Sequence, residues 1–219
     1  MNFPLGHSIF PSLESASTDG IIAVGGDLEI ATLYDAYTHG IFPWPISHEY
    51  PLAWFAPDPR GILQYQNLHI SKSMQKFINK NLYEVRMNYN FQETITACAK
   101  ANNRKGQKGT WITPEIIEGY CKLHQAGYAY SVEVYDNELL VGGLYGVCIS
   151  RYISGESMFY LRPNCSKLAL FYLMNYLQEK MINWIDTQMI TPVVRSMGGE
   201  EISRSDFMAM LKKSLTHQS

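Results

Sequence analysis

Apolar and polar positions along the chain follow two regimes, and the change comes at Gly61. Downstream of it the periods are regular. Gly61 to Tyr65 alternates like a short strand, and Ser71 to Lys80 repeats at helical spacing with Ser71 or Ser73 as its cap. Tyr83 to Asn88 predicts a strand and Phe91 to Ala101 a helix. Pro114 to Ala126 predicts another helix: Thr113 suits its N-cap, Pro114 its first position and Gly127 the place after its end. Ala129 to Tyr135 and Glu138 to Ser150 predict two strands joined by the tight turn Asp136-Asn137. Arg151 to Phe159 predicts a third strand, Ser166 to Lys180 a long apolar helix, and Asn183 to Gln188 a short strand. In that short strand the period of two puts Asp186 and Gln188 on one face. Ser203 to Leu215 predicts a last helix, capped by Ser203.

Upstream of Gly61 only Leu28 to His39 carries a helical stripe, closed by Gly40. The aromatic clusters Phe42-Pro43-Trp44-Pro45 and Trp54-Phe55-Ala56-Pro57-Asp58-Pro59-Arg60 are broken by proline, which excludes regular helix. They predict extended loops packed on a partner surface. The expected organisation is a small N-terminal domain, residues 1–60, leaning on a larger domain, residues 61–219. Central antiparallel strands mixed with helices make the class α+β.

Composition narrows the class. Of 219 residues, 46% are hydrophobic and 17% charged, which suits a buried core and excludes a disordered or fibrous chain. No uncharged stretch reaches the roughly 18 apolar residues of a membrane span; the longest, Leu139 to Ser150, holds Gly142, Gly143 and Gly146 and stops at Arg151. Met1-Asn2-Phe3-Pro4 has no basic region and no apolar core, so no signal peptide is expected. Cys98, Cys121, Cys148 and Cys165 are widely spaced, without a C-x-x-C pair, so neither disulfides nor a structural zinc is expected. The expected setting is the cytoplasm, away from membranes.

Charge changes the picture in one region. The net charge is −2, yet Arg60 to Lys108 holds nine basic residues against Glu84 and Glu93. Lys72, Lys76 and Lys80 are spaced four apart and share one helix face with no interleaved acid. Such a face is either solvated or relieved by a polyanion such as a phosphate backbone.

Elimination leaves one candidate constellation. There is no G-x-S-x-G, no P-loop, no second histidine after His48-Glu49 to make a zincin, and no G-x-G-x-x-G. The six histidines are scattered, and no metal is expected. Glu156 lies among Tyr152, Ile153, Met158 and Phe159, and Asp186 among Ile182, Trp184 and Ile185. Carboxylates in apolar strands need a partner or a task. On neighbouring strands they would hold a cation or move a proton; otherwise they are strand-end acids satisfied by backbone donors.

At this point a resemblance enters, carried by ordered motifs over nearly the whole chain. They are Gly20-Ile21-Ile22-Ala23-Val24-Gly25-Gly26-Asp27-Leu28, Gly40-Ile41-Phe42-Pro43-Trp44, Pro57-Asp58-Pro59-Arg60 and Leu68-His69-Ile70-Ser71-Lys72-Ser73-Met74. Gly109-Thr110-Trp111-Ile112-Thr113, Val141-Gly142-Gly143-Leu144-Tyr145-Gly146-Val147, Gly155-Glu156-Ser157-Met158-Phe159, Asn164, Ser166-Lys167, Asp186 and Gln188 complete the set. In this order and spacing the chain resembles the bacterial leucyl/phenylalanyl-tRNA–protein transferases. It departs from their pattern at Phe55 and Ala56, at Thr187, and at Val193, where the family commonly has His.

The resemblance implies an enzyme that takes Leu, Phe or Met from aminoacyl-tRNA. It joins that residue to a protein's N-terminal Arg or Lys, marking the protein for degradation. It also implies a C-terminal domain like the GNAT acetyltransferases. The coenzyme A pyrophosphate motif [QR]-x-x-G-x-[GA] is absent, so no cofactor is expected, and the chain is expected to act as a monomer. Ester aminolysis needs aligned substrates and a deprotonated amine, but no covalent intermediate. Asp186 is then expected as base or as electrostatic partner of the ammonium, with Gln188 orienting it. Glu156 is expected to hold the acceptor's basic side chain or its N-terminus. Leu144, Met158, Phe171 and Ile185 are expected around the donor side chain, or as plain core. Trp44, Trp111 and Tyr120 are expected against the terminal adenosine or the acceptor, or in interdomain packing. Lys72, Lys76 and Lys80 are expected on the tRNA backbone.

Overall fold

The computed structural model describes residues 8–45, 52–101 and 110–216. In chain order, β1 (Ile21–Val24), α1 (Ile30–Thr38), β2 (Phe42–Pro43) and β3 (Ala53–Phe55) are followed by β4 (Arg60–Gln64) and α2 (Lys72–Asn79). Next come β5 (Glu84–Met87), α3 (Phe91–Lys100), α4 (Pro114–Gln125), β6 (Ala129–Asp136) and β7 (Leu139–Ile149). The chain continues with β8 (Tyr152–Ile153), β9 (Ser157–Tyr160), α5 (Cys165–Glu179), β10 (Trp184–Gln188), α6 (Pro192–Ser196), β11 (Glu200–Ile202) and α7 (Arg204–Thr216). The class is α+β, as expected.

Local chemistry sets the helix ends. The side chains of Ser71 and Thr113 accept the N–H of Met74 and Ile116, and Asn90 does the same for Glu93 at the start of α3. Ser203 accepts the N–H of Asp206 at the start of α7. Gly40 and Gly127, with φ of 77° and 84°, follow α1 and α4 as expected.

The main sheet runs β5-β6-β7, and β7 pairs antiparallel with both β8 and β9. Its central strands, β6 and β7, are buried on both faces. Tyr130, Val132 and Val134 of β6 pack toward α5, where Ala169, Leu170, Leu173 and Met174 meet them. Tyr135, Tyr145 and Val147 belong to the other cluster, with Phe91 and Ile95 of α3 and Ile116, Tyr120 and Leu123 of α4. Leu33, Tyr37, Phe42 and Trp54 from before residue 60 share this second cluster with Phe207 and Leu211 of α7.

Three expectations are corrected. The Pro-rich aromatic segments are not all loop: β3 pairs antiparallel with β1 and with β2, and Pro43 lies on an edge strand, where its missing N–H costs no ladder bond. The hairpin turn occupies Asn137 and Glu138, one residue later than expected, with Asn137 at φ 54°. The single strand expected over Arg151 to Phe159 is two short strands, β8 and β9, separated by Ser154–Glu156. The small elements α6 and β11 have no counterpart in the sequence expectations.

The break between β8 and β9 positions the site. A single parallel bridge joins Ser154 to Asp186, and Gly155 N–H donates to Asp186 O at 2.8 Å. Beyond it the chains part: β9 follows β7, while β10 follows β4 in a smaller sheet ordered β10-β4-β11. Gly146 of β7 allows this close approach, since a Cβ there would lie 1.8 Å from Ser154 O and 2.7 Å from the Tyr130 hydroxyl. We expect Gly146→Ala to lower the unfolding free energy by about 3 kcal/mol or more, because backbone must move. Gly127→Ala, with φ +84° but no atom within 4 Å, should cost only about 1 kcal/mol. Urea unfolding of the two variants checks the order.

Candidate active site

Three of the sequence-nominated side chains meet where β9 and β10 part. β10 first pairs Trp184, Ile185 and Asp186 with Gln64, Leu63 and Ile62; the register then shifts, so that Gln188 opposes Gly61. This bulge holds Gln188 at φ 61°, in the left-handed region that a non-glycine residue seldom occupies. Gly61 leaves the room: a Cβ there would lie 2.9 Å from the Met189 carbonyl carbon and 3.0 Å from the Thr187 hydroxyl.

The bulge sends the two side chains to different partners. Asp186, fully buried, accepts at Oδ1 from Arg60 Nε (2.9 Å) and from the backbone N–H of Gln188 (2.8 Å). At Oδ2 it accepts from Arg60 Nη2 (2.7 Å) and the Tyr152 hydroxyl (2.6 Å). Four donors fill its acceptor positions. Gln188 Nε2 instead donates to Glu156 Oε1 (2.9 Å) and Oε2 (2.8 Å). The Gln188 side chain thus orients Glu156, where the sequence expectation has it orient Asp186.

Glu156 also accepts from the Ser154 hydroxyl (2.6 Å, at Oε1) and, by a long contact, from the Tyr120 hydroxyl (3.4 Å, at Oε2). Burial raises its pKa above the ordinary glutamate value, the Ser154, Gln188 and Tyr37 hydrogen bonds oppose the rise, and the charge of Asp186 adds to it. Tyr37, on α1, shares a hydrogen bond with Tyr120, and burial pushes both phenols well above their ordinary pKa, so they stay neutral donors.

Arg60, one of the nine bases of the positive segment, is buried, its side chain 1% exposed. Its guanidinium lies over the rings of Phe42 (4.7 Å) and Phe207 (4.4 Å), and Nη1 donates to Gly40 O at 3.0 Å. Burial by itself lowers its pKa; the charge and hydrogen bonds of Asp186 outweigh this and raise it. One signal in the sequence pointed there: an arginine opening the apolar run Gly-Ile-Leu needs a buried partner. Tyr152, Ser154 and Tyr37 carried no comparable signal.

The other nominated residues fall into three groups. Leu144, Met158, Phe171 and Ile185 belong to one cluster, with Leu144 and Ile185 buried and Met158 and Phe171 partly open; Leu144 and Met158 are register partners. Trp44 and Trp111 are half-buried and stacked on each other, centroids 5.7 Å apart. Tyr120 is fully buried against Tyr37 and Tyr145, so it offers the site a hydroxyl and no free ring face. Lys72, Lys76 and Lys80 are exposed along α2, with no ion-pair partner among the described residues. Of the other bases in the positive segment, Arg86 is paired with Glu84 at 2.7 Å, while Arg104, Lys105 and Lys108 lie outside the described residues.

The raised Glu156 pKa has a consequence for stability. The native state holds the proton to higher pH than the unfolded chain, so this contribution is fully present below the unfolded glutamate pKa. It is lost as pH rises through the folded value. Glu156→Gln should remove that decline. Urea unfolding of both proteins from pH 4 to 8 measures it, and parallel curves would contradict it.

A family model described as "Leucyl/phenylalanyl-tRNA protein transferase N-terminal domain" matches residues 26–58, and one described as "Leucyl/phenylalanyl-tRNA protein transferase" matches residues 62–212. Among solved structures, the chain is similar to L-PGS from Bacillus licheniformis, with a TM-score of 0.47 and 10% identity over 85% of this chain and 70% of that one. It is also similar to a GCN5-related N-acetyltransferase from Kribbella flavida, with a TM-score of 0.38 and 14% identity over 78% and 60%. Among curated relatives, the leucyl/phenylalanyl-tRNA–protein transferase of Flavobacterium johnsoniae is 46% identical over 93% of this chain and 95% of its own. That of Maridesulfovibrio salexigens is 44% identical over 95% and 87%, and that of Flavobacterium psychrophilum 44% over 97% and 100%. The chain belongs to the leucyl/phenylalanyl-tRNA–protein transferase family.

Proposed function

We propose that the protein transfers Leu, Phe or Met from aminoacyl-tRNA to the N-terminal Arg or Lys of acceptor proteins, creating a degradation signal, and acts as a monomer without a cofactor. Residues 61–219 serve as a GNAT-like catalytic domain and residues 1–60 as a small N-terminal domain; family matches that end at 58 and resume at 62 support this division. Among the described residues no helix is long and apolar enough to cross a membrane.

The observation that carries the chemistry is the pairing of Glu156 with the Gln188 amide where β9 and β10 diverge. We assign Glu156 as the group that receives the acceptor's α-amine. The donors around it, from Ser154, Gln188, Tyr120 and Tyr37, are all neutral, so its charge is left for an incoming ammonium. Its raised pKa makes it a better base than a solvated carboxylate. Glu156 takes a proton from the α-ammonium, and the free amine attacks the ester carbonyl. The C–O bond to the ribose breaks as that oxygen takes this proton from Glu156, and the second proton of the attacking nitrogen leaves to solvent, giving the neutral amide. Asp186, with its acceptor positions filled, holds the strand end and takes no proton. Gln188 is the group that orients Glu156.

The partly open Met158 and Phe171 beside buried Leu144 and Ile185 suit an apolar donor side chain. The Trp44–Trp111 stack suits the terminal adenosine by insertion or edge contact. The Tyr120 hydroxyl acts on Glu156, and the α2 lysines meet the tRNA backbone.

Labelled Leu-tRNA mixed with peptides that begin with Arg, Lys or Ala tests the transfer. Label should move to the Arg and Lys peptides alone, with a rate that rises with pH through a value above the ordinary glutamate range, and Glu156→Gln should lower it by about 10²- to 10⁴-fold. Transfer to the Ala peptide, or full activity of the variant, would refute the assignment. For the lysine face, tRNA affinity should fall steeply with salt. Replacing Lys72, Lys76 and Lys80 by Gln should reduce the log–log slope by about 0.7 to 0.9 per lysine; an unchanged slope returns the face to bulk solvent.

A further inference from the structure

Arg60 touches no substrate in the scheme above, yet a continuous run of hydrogen bonds leads from it to Glu156. Its Nε donates to Asp186 Oδ1, the same oxygen accepts the backbone N–H of Gln188, and the Gln188 amide donates to both oxygens of Glu156. We infer that Arg60 is a positioning residue for the transfer reaction, an inference that rests on the transferase reading: it fixes Asp186, Asp186 fixes the Gln188 backbone, and Gln188 then aims at Glu156.

Three observations support it. Gln188 sits at φ 61°, and a non-glycine residue keeps that conformation only where its surroundings over-determine it; the Asp186 carboxylate supplies the bond to its N–H. The guanidinium uses three directions at once, two to Asp186 and one to Gly40 O, which a planar fork offers and an ammonium on a flexible stem does not. The rings of Phe42 and Phe207 both pack against the guanidinium, so segments from both ends of the chain contact it. Arg60 therefore carries packing order from β2 and α7 into the aim of the carboxylate.

A purely structural anchor would change stability and leave the chemistry of the folded fraction untouched. The test uses the full chain with Arg60→Lys, Arg60→Gln, Asp186→Asn, and Arg60→Gln combined with Asp186→Asn. Single-turnover transfer to an Arg-initiated peptide is measured at saturating Leu-tRNA. The Glu156 carboxyl is titrated by carbon-13 NMR, its resonance being the one missing from Glu156→Gln. Arg60→Gln should slow transfer about 100-fold with unchanged affinity for the tRNA, the scale of a misplacement near 1 Å. Arg60→Lys should recover part of that loss. The combined variant should be no slower than the slower single, and the Glu156 titration should move in each. Folded variants with the wild-type rate and titration would overturn the inference, as would a combined loss equal to the product of the singles. Should Arg60→Gln fail to fold, the combined variant leaves no unpaired charge and carries the same titration. Wild-type protein that transfers nothing would remove the transferase reading, and the titration would still decide whether Arg60 sets Glu156.

Discussion

Arg60 and Asp186 face each other with side chains 1% and 0% exposed, and neither charge tolerates that burial alone. Their two parallel hydrogen bonds satisfy the fork of one and both oxygens of the other. The remaining acceptor capacity of Asp186 goes to Tyr152 and to the backbone of Gln188, and a third donor of Arg60 goes to Gly40. The pair thereby joins β4, β8, β10 and the segment after α1 at one point. Everything placed at the parting of β9 and β10 takes its position from that join.

Two carboxylates at the same fork behave differently because their donors differ. Asp186 meets a cation and two further donors, Tyr152 and the Gln188 N–H; Glu156 meets neutral donors, from Ser154, Gln188, Tyr120 and Tyr37. Burial without a cation raises the Glu156 pKa. Separation of roles between neighbouring acids arises in this way from environment, without any difference in the acids themselves. The residues before position 60 take part through Tyr37, whose hydroxyl meets Tyr120, and through Phe42 and Gly40 against Arg60.

The main sheet explains why the fork stays open. Beyond the bridge from Ser154 to Asp186, β9 finds its partner in β7 and β10 finds its partner in β4, so each strand is satisfied elsewhere. Gly146 brings the Ser154 carbonyl close on one side, and Gly61 admits the bulge on the other. Small residues at these two places let backbone stand where side chains would otherwise force the strands apart.

Downstream of Gly61 the sequence by itself determined most elements, because periodicity and capping are local. Ser71, Thr113 and Ser203 cap the helices they were expected to cap, and the β6–β7 hairpin errs by one residue. It also brought Glu156, Asp186 and Gln188 forward, since acids in apolar strands stand out in a linear reading, and its ordered motifs pointed to the family. The tertiary structure alone decided who meets whom. Arg60 and Asp186 are 126 residues apart, and the apolar run after Arg60 hints at burial without naming the partner. The bulge that turns Gln188 away from Asp186 depends on an opposing glycine in another strand. The burial of Tyr120 depends on α1 and β7 packing over α4. Periodicity reports which face of an element is apolar; the choice of partner across the core is made by ion pairing, shape and backbone room in three dimensions, and that choice set the chemistry of the site.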